Sequence, residues 1–217
     1  MADYTQRRVT MVDTQVRPSD VTKFPILDAM LSVPREAYVP ADKRDLAYMD
    51  IPVDLGGGRQ LLDPRAIAKL LDALEPTPAD LVLELGAGGG YGTALLAHLA
   101  EAVVAVEEDA TLARDAEATL AEQGVDNAAI VEGPIAEGSA KHGPFDAVVI
   151  FAGVEMVPQA IQDQLKEGGK IAAIFMEGPL GEARLGVKSN GRISWRMVFN
   201  ATAPVLPGFA RETDFVF

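Results

Sequence analysis

LVLELGAGGGYG, residues 81–92, decides how the rest of the chain is read. LVLELG is a short buried strand that ends at a glycine, and YGTALLAHLA (91–100) continues as a helix. The glycines between them permit a tight turn and a close backbone approach, while the helix N-terminus offers free N–H groups. Two cofactor classes use this geometry. A dinucleotide site requires G-x-G-x-x-G, but counting from Gly86 puts Tyr91 at the last position and counting from Gly88 puts Thr93 there. Neither count fits.

Outward from this unit, strand-like runs alternate with helical patterns. AVVAVEE (102–108) is a strand, and DATLARDAEATLAEQG (109–124) is a helix with Leu112, Ala116 and Leu120 on one face and Gly124 as its C-cap. NAAIVEG (127–133) and FDAVVIFAG (145–153) are further strands. A helix over 157–167 is expected to stop at Gly168-Gly169, before a strand at KIAAIFM (170–176). RLGVKSNGRISWRMVF carries Asn190-Gly191 between alternating runs, a β-hairpin signal. The pattern predicts an α/β protein whose mainly parallel sheet is finished by an antiparallel hairpin.

Residues 1–75, with prolines at 18, 25, 34, 40, 52 and 64, read as a helical and irregular extension covering one edge of the sheet. Residues 76–217 read as the core, with no Ser/Gly-rich linker between the two, so one compact domain is expected. Within the extension, GGGRQLLDPRAIA (56–68) combines a glycine run with a helix start, Asp63 as N-cap and Pro64 at the first helical position.

Composition narrows the chemistry. There is no cysteine, which excludes disulfides, thiolate metal sites and cysteine nucleophiles, and no metal site is expected. The two histidines, His98 in a helical pattern and His142 in the loop KHGP, read as surface residues. A net charge of −13 with no basic cluster argues against a nucleic-acid partner. No apolar run reaches the roughly 20 residues that span a bilayer. The first residues carry no signal-peptide core either, so no membrane association, a cytoplasmic location and a monomeric state are expected.

The spacing E-x-G-x-G-x-G, Glu84, Gly86, Gly88 and Gly90, resembles the first motif of class I S-adenosylmethionine-dependent methyltransferases. That resemblance implies a Rossmann-like, seven-stranded fold with S-adenosylmethionine as cofactor. It also implies that Glu84 lies near the amino-acid end of the cofactor and the loop Gly86, Ala87, Gly88 and Gly90 beside its ribose. Glu107, closing the next strand, falls where the family places an acid on the ribose hydroxyls, and two carboxylate oxygens suit two adjacent donors. The [DNS]-P-P-[YFW] motif of amino-methylating nucleic-acid enzymes is not found at DAVVIFAGVEMVP (146–158).

A wider resemblance covers nearly the whole chain. MVDTQVRPSDV (11–21), ILDAMLSVPREAYVP (26–40), AYMDIPVDLGGGRQLLDP (47–64), the FDAVVI strand, LKEGGKIAAI and VFNATAPVLPGF are similar to the protein-L-isoaspartate O-methyltransferase family. It implies a peptide or protein substrate whose isoaspartyl carboxylate is methylated. Such a carboxylate is already an anion at neutral pH, so positioning and desolvation suffice and no general base is needed.

Against the family pattern A-Y-x-D-x-P-L-P-I-G-x-G-Q-T-I-S-x-P, the active-site serine falls on Leu62, the threonine on Gln60 and the glutamine on Arg59. Leu62 offers no hydroxyl, and Asp63 beside it would repel an anion if it faced the pocket. A further departure is Pro134, where the family has an aspartate near the adenine. Three functions follow: an isoaspartyl methyltransferase in which Arg59 or a backbone N–H meets the anion, the same fold with another substrate admitted by Leu61 and Leu62, or a cofactor-binding sensing or interaction module. Trp195 reads as packed against the sheet, Tyr91 as a helix-start aromatic that either touches the cofactor or joins the core, and Asp50 and Asp54 as solvated loop acids.

Overall fold

Successive side chains of residues 81–85 point to opposite sides of a sheet, and both sides are covered. Val82 joins one buried cluster with Leu70, Leu71, Leu95 and Val149, whereas Leu83 and Leu85 join another with Phe145, Ile150 and Ile161. Burial on both faces is the condition of a parallel strand. Glu84 shares the face of Val82, so alternation alone turns its carboxylate into the covered layer.

The computed structural model describes residues 3–211. The chain opens with α1 (Tyr4–Met11) and α2 (Phe24–Ser32), then forms a two-stranded hairpin of β1 (Val53–Gly56) and β2 (Arg59–Leu61) ahead of α3 (Pro64–Leu74). There follow β3 (Leu81–Leu85), α4 (Tyr91–Leu99), β4 (Ala102–Glu107), α5 (Ala110–Glu122), β5 (Ala128–Glu132), β6 (Phe145–Val154), α6 (Gln159–Asp163), β7 (Leu165–Glu177), β8 (Leu180–Ser189) and β9 (Arg192–Asn200).

Seven strands form one sheet in the order β5-β4-β3-β6-β7-β8-β9. Pairing is parallel from β5 to β7 and antiparallel for β7–β8 and β8–β9. This is the expected mainly parallel sheet with a C-terminal antiparallel hairpin, turned at Asn190-Gly191, both at positive φ. β4 and β6 leave β3 on opposite flanks, which opens a crevice beyond its carboxyl end, where open α/β sheets bind ligands.

Three local expectations are corrected. The helix expected over 157–167 is confined to Gln159–Asp163, and the chain enters β7 already at Leu165. Leu165 pairs with Phe145 while Lys170 pairs with Ala147, so Gly168-Gly169 lies within a register irregularity of the strand and does not end a helix. The N-terminal segment contains the β1–β2 hairpin, whose turn uses Gly56, Gly57 and Gly58 at φ +85°, +57° and +75°. Finally, α3 lies across a face of the sheet, over β6, β7 and β8, and not along an edge. Its buried stripe of Ile67, Leu70, Leu71 and Leu74 is too wide to be covered by a strand edge.

The start of α3 is as its sequence predicts: Asp63 Oδ1 accepts from the Ala66 N–H at 2.8 Å, and Pro64 opens the first turn. The carboxylate is thus committed to the helix end. Asp63→Ala is expected to cost about 1 kcal/mol, lowering Tm by roughly 2–4 °C for a chain of this size, while Asp63→Asn retains the cap and most of the stability. Thermal unfolding of both variants checks this.

Candidate active site

The turn after β3 is held by its neighbour strand: the Gly86 and Ala87 N–H groups both donate to the Val106 carbonyl, at 2.9 and 3.2 Å. Gly86, Gly88 and Gly90 adopt φ of +79°, +53° and +87°, which L side chains resist. The loop is also overlaid. A Cβ on Gly88 would lie 3.0 Å from Leu55 Cδ1, and one on Gly89 would lie 2.3 Å from the Tyr38 carbonyl oxygen. Between loop and hairpin is a narrow cleft, lined by Gly86–Gly89, Gly58–Leu62, Tyr38, Tyr91, Glu84, Phe151 and, from near the chain's end, Pro204 and Leu206.

Glu84 sits at the floor, buried beneath the first turn of α4, where Thr93 Oγ1 donates to its Oε2 at 2.5 Å. Burial pushes its carboxyl up from the usual 4.5 to about 8, the charge of Glu107 adds to the rise, and the Thr93 hydrogen bond opposes it. At neutral pH the group is mostly a neutral acid.

Glu107 ends β4 and is fully buried. Its Oε1 accepts from the backbone N–H groups of Glu108 (2.9 Å) and Asp109 (3.1 Å), and its Oε2 accepts from Gly88 N–H (2.9 Å). Arg59, from β2, adds two further donors: Nη2 to Oε1 at 3.1 Å and Nε to Oε2 at 3.3 Å. The same Nη2 lies 3.1 Å from Glu108 Oε1. Burial works against the guanidinium charge, but hydrogen bonds to the two carboxylates outweigh it and raise its pKa.

The cleft therefore brings together Arg59, Gln60, Leu62, Glu84, Gly86, Ala87 and Gly88. Gly90 N-caps α4 behind them, and Glu107 lies beneath Arg59, outside the cleft lining. Period-two alternation on β2 turns Arg59 and Leu61 inward and leaves Gln60 exposed at the mouth. Leu62 is 2% exposed. Pro134 precedes a 3-10 turn and does not reach the cleft. Asp54 is tied to Lys43 at 2.8 Å, and Asp50 is exposed. Tyr91 lines the cleft with its ring edge-on to Tyr38, 5.8 Å between centroids. His98 pairs with Asp28, His142 with Ser139, and Trp195 packs edge-on against Phe175. Among the described residues no cluster of His, Cys, Asp or Glu could hold a metal ion, and no helix is long and apolar enough to cross a membrane.

Sequence reasoning missed Arg35. It is wholly buried, donating from Nε to the Ala47 carbonyl and from Nη2 to the Leu62 carbonyl, both at 2.5 Å, with its guanidinium 4.9 Å from the Tyr91 ring centroid. One side chain thereby ties both ends of the segment that carries the hairpin. In VPREAYVP the arginine stands beside Glu36 and reads as solvated, so the sequence carries no signal of its burial. Thr93, Phe151, Pro204 and Leu206 join the site only through tertiary packing.

Residues 7–195 match the family model described as protein-L-isoaspartate(D-aspartate) O-methyltransferase. The chain is 36% identical over 186 residues to a protein-L-isoaspartate O-methyltransferase of Synechococcus, covering 86% of this chain and 76% of the relative. It is 39% identical over 171 residues to one from Syntrophus aciditrophicus, covering 79% and 78%. Among solved structures, a protein-L-isoaspartate O-methyltransferase superposes with TM-score 0.79 at 22% identity, over 94% of this chain and 66% of that one. A Plasmodium falciparum structure described as a protein-L-isoaspartate O-methyltransferase in complex with S-adenosyl-L-homocysteine gives TM-score 0.78 at 21% identity, over 95% and 99%.

Proposed function

We propose, from the premise that the chain belongs to the protein-L-isoaspartate O-methyltransferase family, that the cleft over Gly86–Gly90 methylates isoaspartyl carboxylates of damaged proteins. The enzymes of this family depend on S-adenosylmethionine. The observation that carries the reading is the meeting of the glycine loop with the β1–β2 hairpin in one cleft. Those two segments carry the generic and the family-specific halves of the resemblance.

The residues suit the cofactor. Gly86, Gly88 and Gly89 carry no side chain, so the loop lines the cleft with backbone and the small Ala87 methyl. Glu84, Gly86, Ala87, Gly88, Gly90 and Glu107 would hold S-adenosylmethionine, which supplies a sulfonium-activated methyl group. The substrate carboxylate, with an ordinary pKa near 4, is ionised at neutral pH and is itself the nucleophile. What the protein adds is orientation and exclusion of water. Tyr38, Leu62, Tyr91 and Phe151 supply apolar walls for that purpose. Leu62 stands at the family's serine position; its carbonyl is taken by Arg35 and the Arg59 guanidinium by Glu107 and Glu108, so polar side-chain contact with the substrate falls to Gln60.

The test is methyl transfer to a peptide containing isoaspartate and to its normal aspartyl counterpart. Transfer to the first alone is expected. Leu62→Ser should stay within about tenfold of the wild type, since one hydrogen bond is worth about 0.5–1.5 kcal/mol. An inert wild type beside an active Leu62→Ser variant would mean that the natural reaction is not isoaspartyl repair.

A further inference from the structure

We infer that Arg59 is a latch on the cofactor site: its guanidinium and the cofactor's ribose diol compete for the Glu107 carboxylate, and cofactor entry moves Arg59 onto Glu108. The inference rests on the proposed function for the identity of the cofactor, and on this chain's own geometry for the competition.

A carboxylate offers about four lone-pair directions. Glu107 already receives five donations, three from the backbone N–H groups of Gly88, Glu108 and Asp109 and two from Arg59. No acceptor direction is left for a ribose hydroxyl, and the carboxylate has no exposed surface through which one could reach it; release of Arg59 leaves the three backbone donations and reopens one direction. The three backbone donors belong to the two βα turns and cannot leave without unravelling them. Arg59 can. It stands on the last strand of a short hairpin in whose turn a Cβ at Gly56 or Gly58 would meet nothing, while Gly57 rests against Asp109 and Leu112. A second carboxylate already touches the departing nitrogen: Glu108, whose side chain is 34% exposed at the rim.

Moving from Glu107 to Glu108 keeps the guanidinium paired throughout. It also shifts β2, so the position of Gln60 and Leu62, the substrate-facing residues, becomes dependent on cofactor. Arg59 is therefore a positioning residue that sets cofactor affinity against hairpin closure.

Calorimetric titration with S-adenosylhomocysteine tests this without reference to any peptide. Arg59→Gln is expected to lower Kd at least fivefold, although it removes a positive charge and a buried ion pair. Glu108→Gln, which leaves the Arg59–Glu107 pair intact but takes away the resting place, is expected to raise Kd threefold or more and guards against misfolding of the first variant. In the wild type, the Arg59 Nε–H resonance should lose its protection from solvent exchange when S-adenosylhomocysteine binds. Weaker or unchanged binding by folded Arg59→Gln, unchanged or tighter binding by Glu108→Gln, or an Arg59 Nε–H that stays protected would overturn the latch. Normal S-adenosylhomocysteine binding without isoaspartyl transfer would instead overturn the proposed substrate and leave the latch standing.

Discussion

Gly92→Ala is expected to destabilise the protein by about 2–3 kcal/mol and to weaken S-adenosylhomocysteine binding by more than tenfold. The sign is the informative part, because glycine to alanine within a helix ordinarily gains up to about 1 kcal/mol. Gly92 is the second residue of α4, and a Cβ there would lie 2.3 Å from Glu84 Oε1 and 2.6 and 2.8 Å from two carbons of the Phe151 ring. Neither neighbour can yield cheaply. Glu84 is anchored by Thr93 in the buried floor, and Phe151 belongs to the core on β6. Both line the cleft, so the displacement that relieves the overlap intrudes on the space proposed for the cofactor. Urea denaturation and calorimetry read the two effects. A variant as stable as the wild type would mean that α4 can slide away from β3, and the close packing argued for the cleft floor would be wrong.

That contact illustrates what the sequence made legible. The strand, glycine turn and helix of 81–99 announce themselves through local periodicity, and so do β4, α5, β5 and the Asn190-Gly191 hairpin. Each needs only neighbours within a few residues. The Asp63 cap belongs with them, since its partner Ala66 is three residues away. Less was legible where partners are distant. Arg59 finds Glu107 across 48 residues, and Arg35 finds the Leu62 carbonyl across 27. No spacing rule links such positions, and an arginine in a polar-looking stretch reads as solvated until the fold buries it. The same holds for Leu165–Gly169, where helical composition gives way to pairing of Leu165 with Phe145. Glu107 was located correctly at the end of its strand, but that it lies sealed under Arg59 depends on a hairpin that three glycines disguise as a simple turn.

The second large effect concerns Glu84 and has a definite pH window. Its carboxyl lies near 4.5 in the unfolded chain and at about 8 in the folded one, chiefly because burial penalises the anion. Below pH 4.5 both states hold the proton, and the group contributes nothing to the pH dependence. Between 4.5 and 8 the unfolded chain releases its proton while the folded protein keeps it, so stability falls as pH rises; above 8 both are ionised and the curve flattens. At 1.36 kcal/mol per unit the total is on the order of 5 kcal/mol. Glu84→Gln keeps the shape and an oxygen that can accept from Thr93, yet cannot ionise. It should therefore match the wild type near pH 4.5 and exceed it by several kcal/mol at pH 9 in urea denaturation. A cationic group brought against Glu84 reverses the balance by favouring the carboxylate. If the amino-acid end of the cofactor docks there, S-adenosylhomocysteine binding at pH 7 releases up to one proton from the wild type and none from Glu84→Gln. Titrations in buffers of different ionisation enthalpy count that proton. Equal release from both proteins would move the amino group away from Glu84.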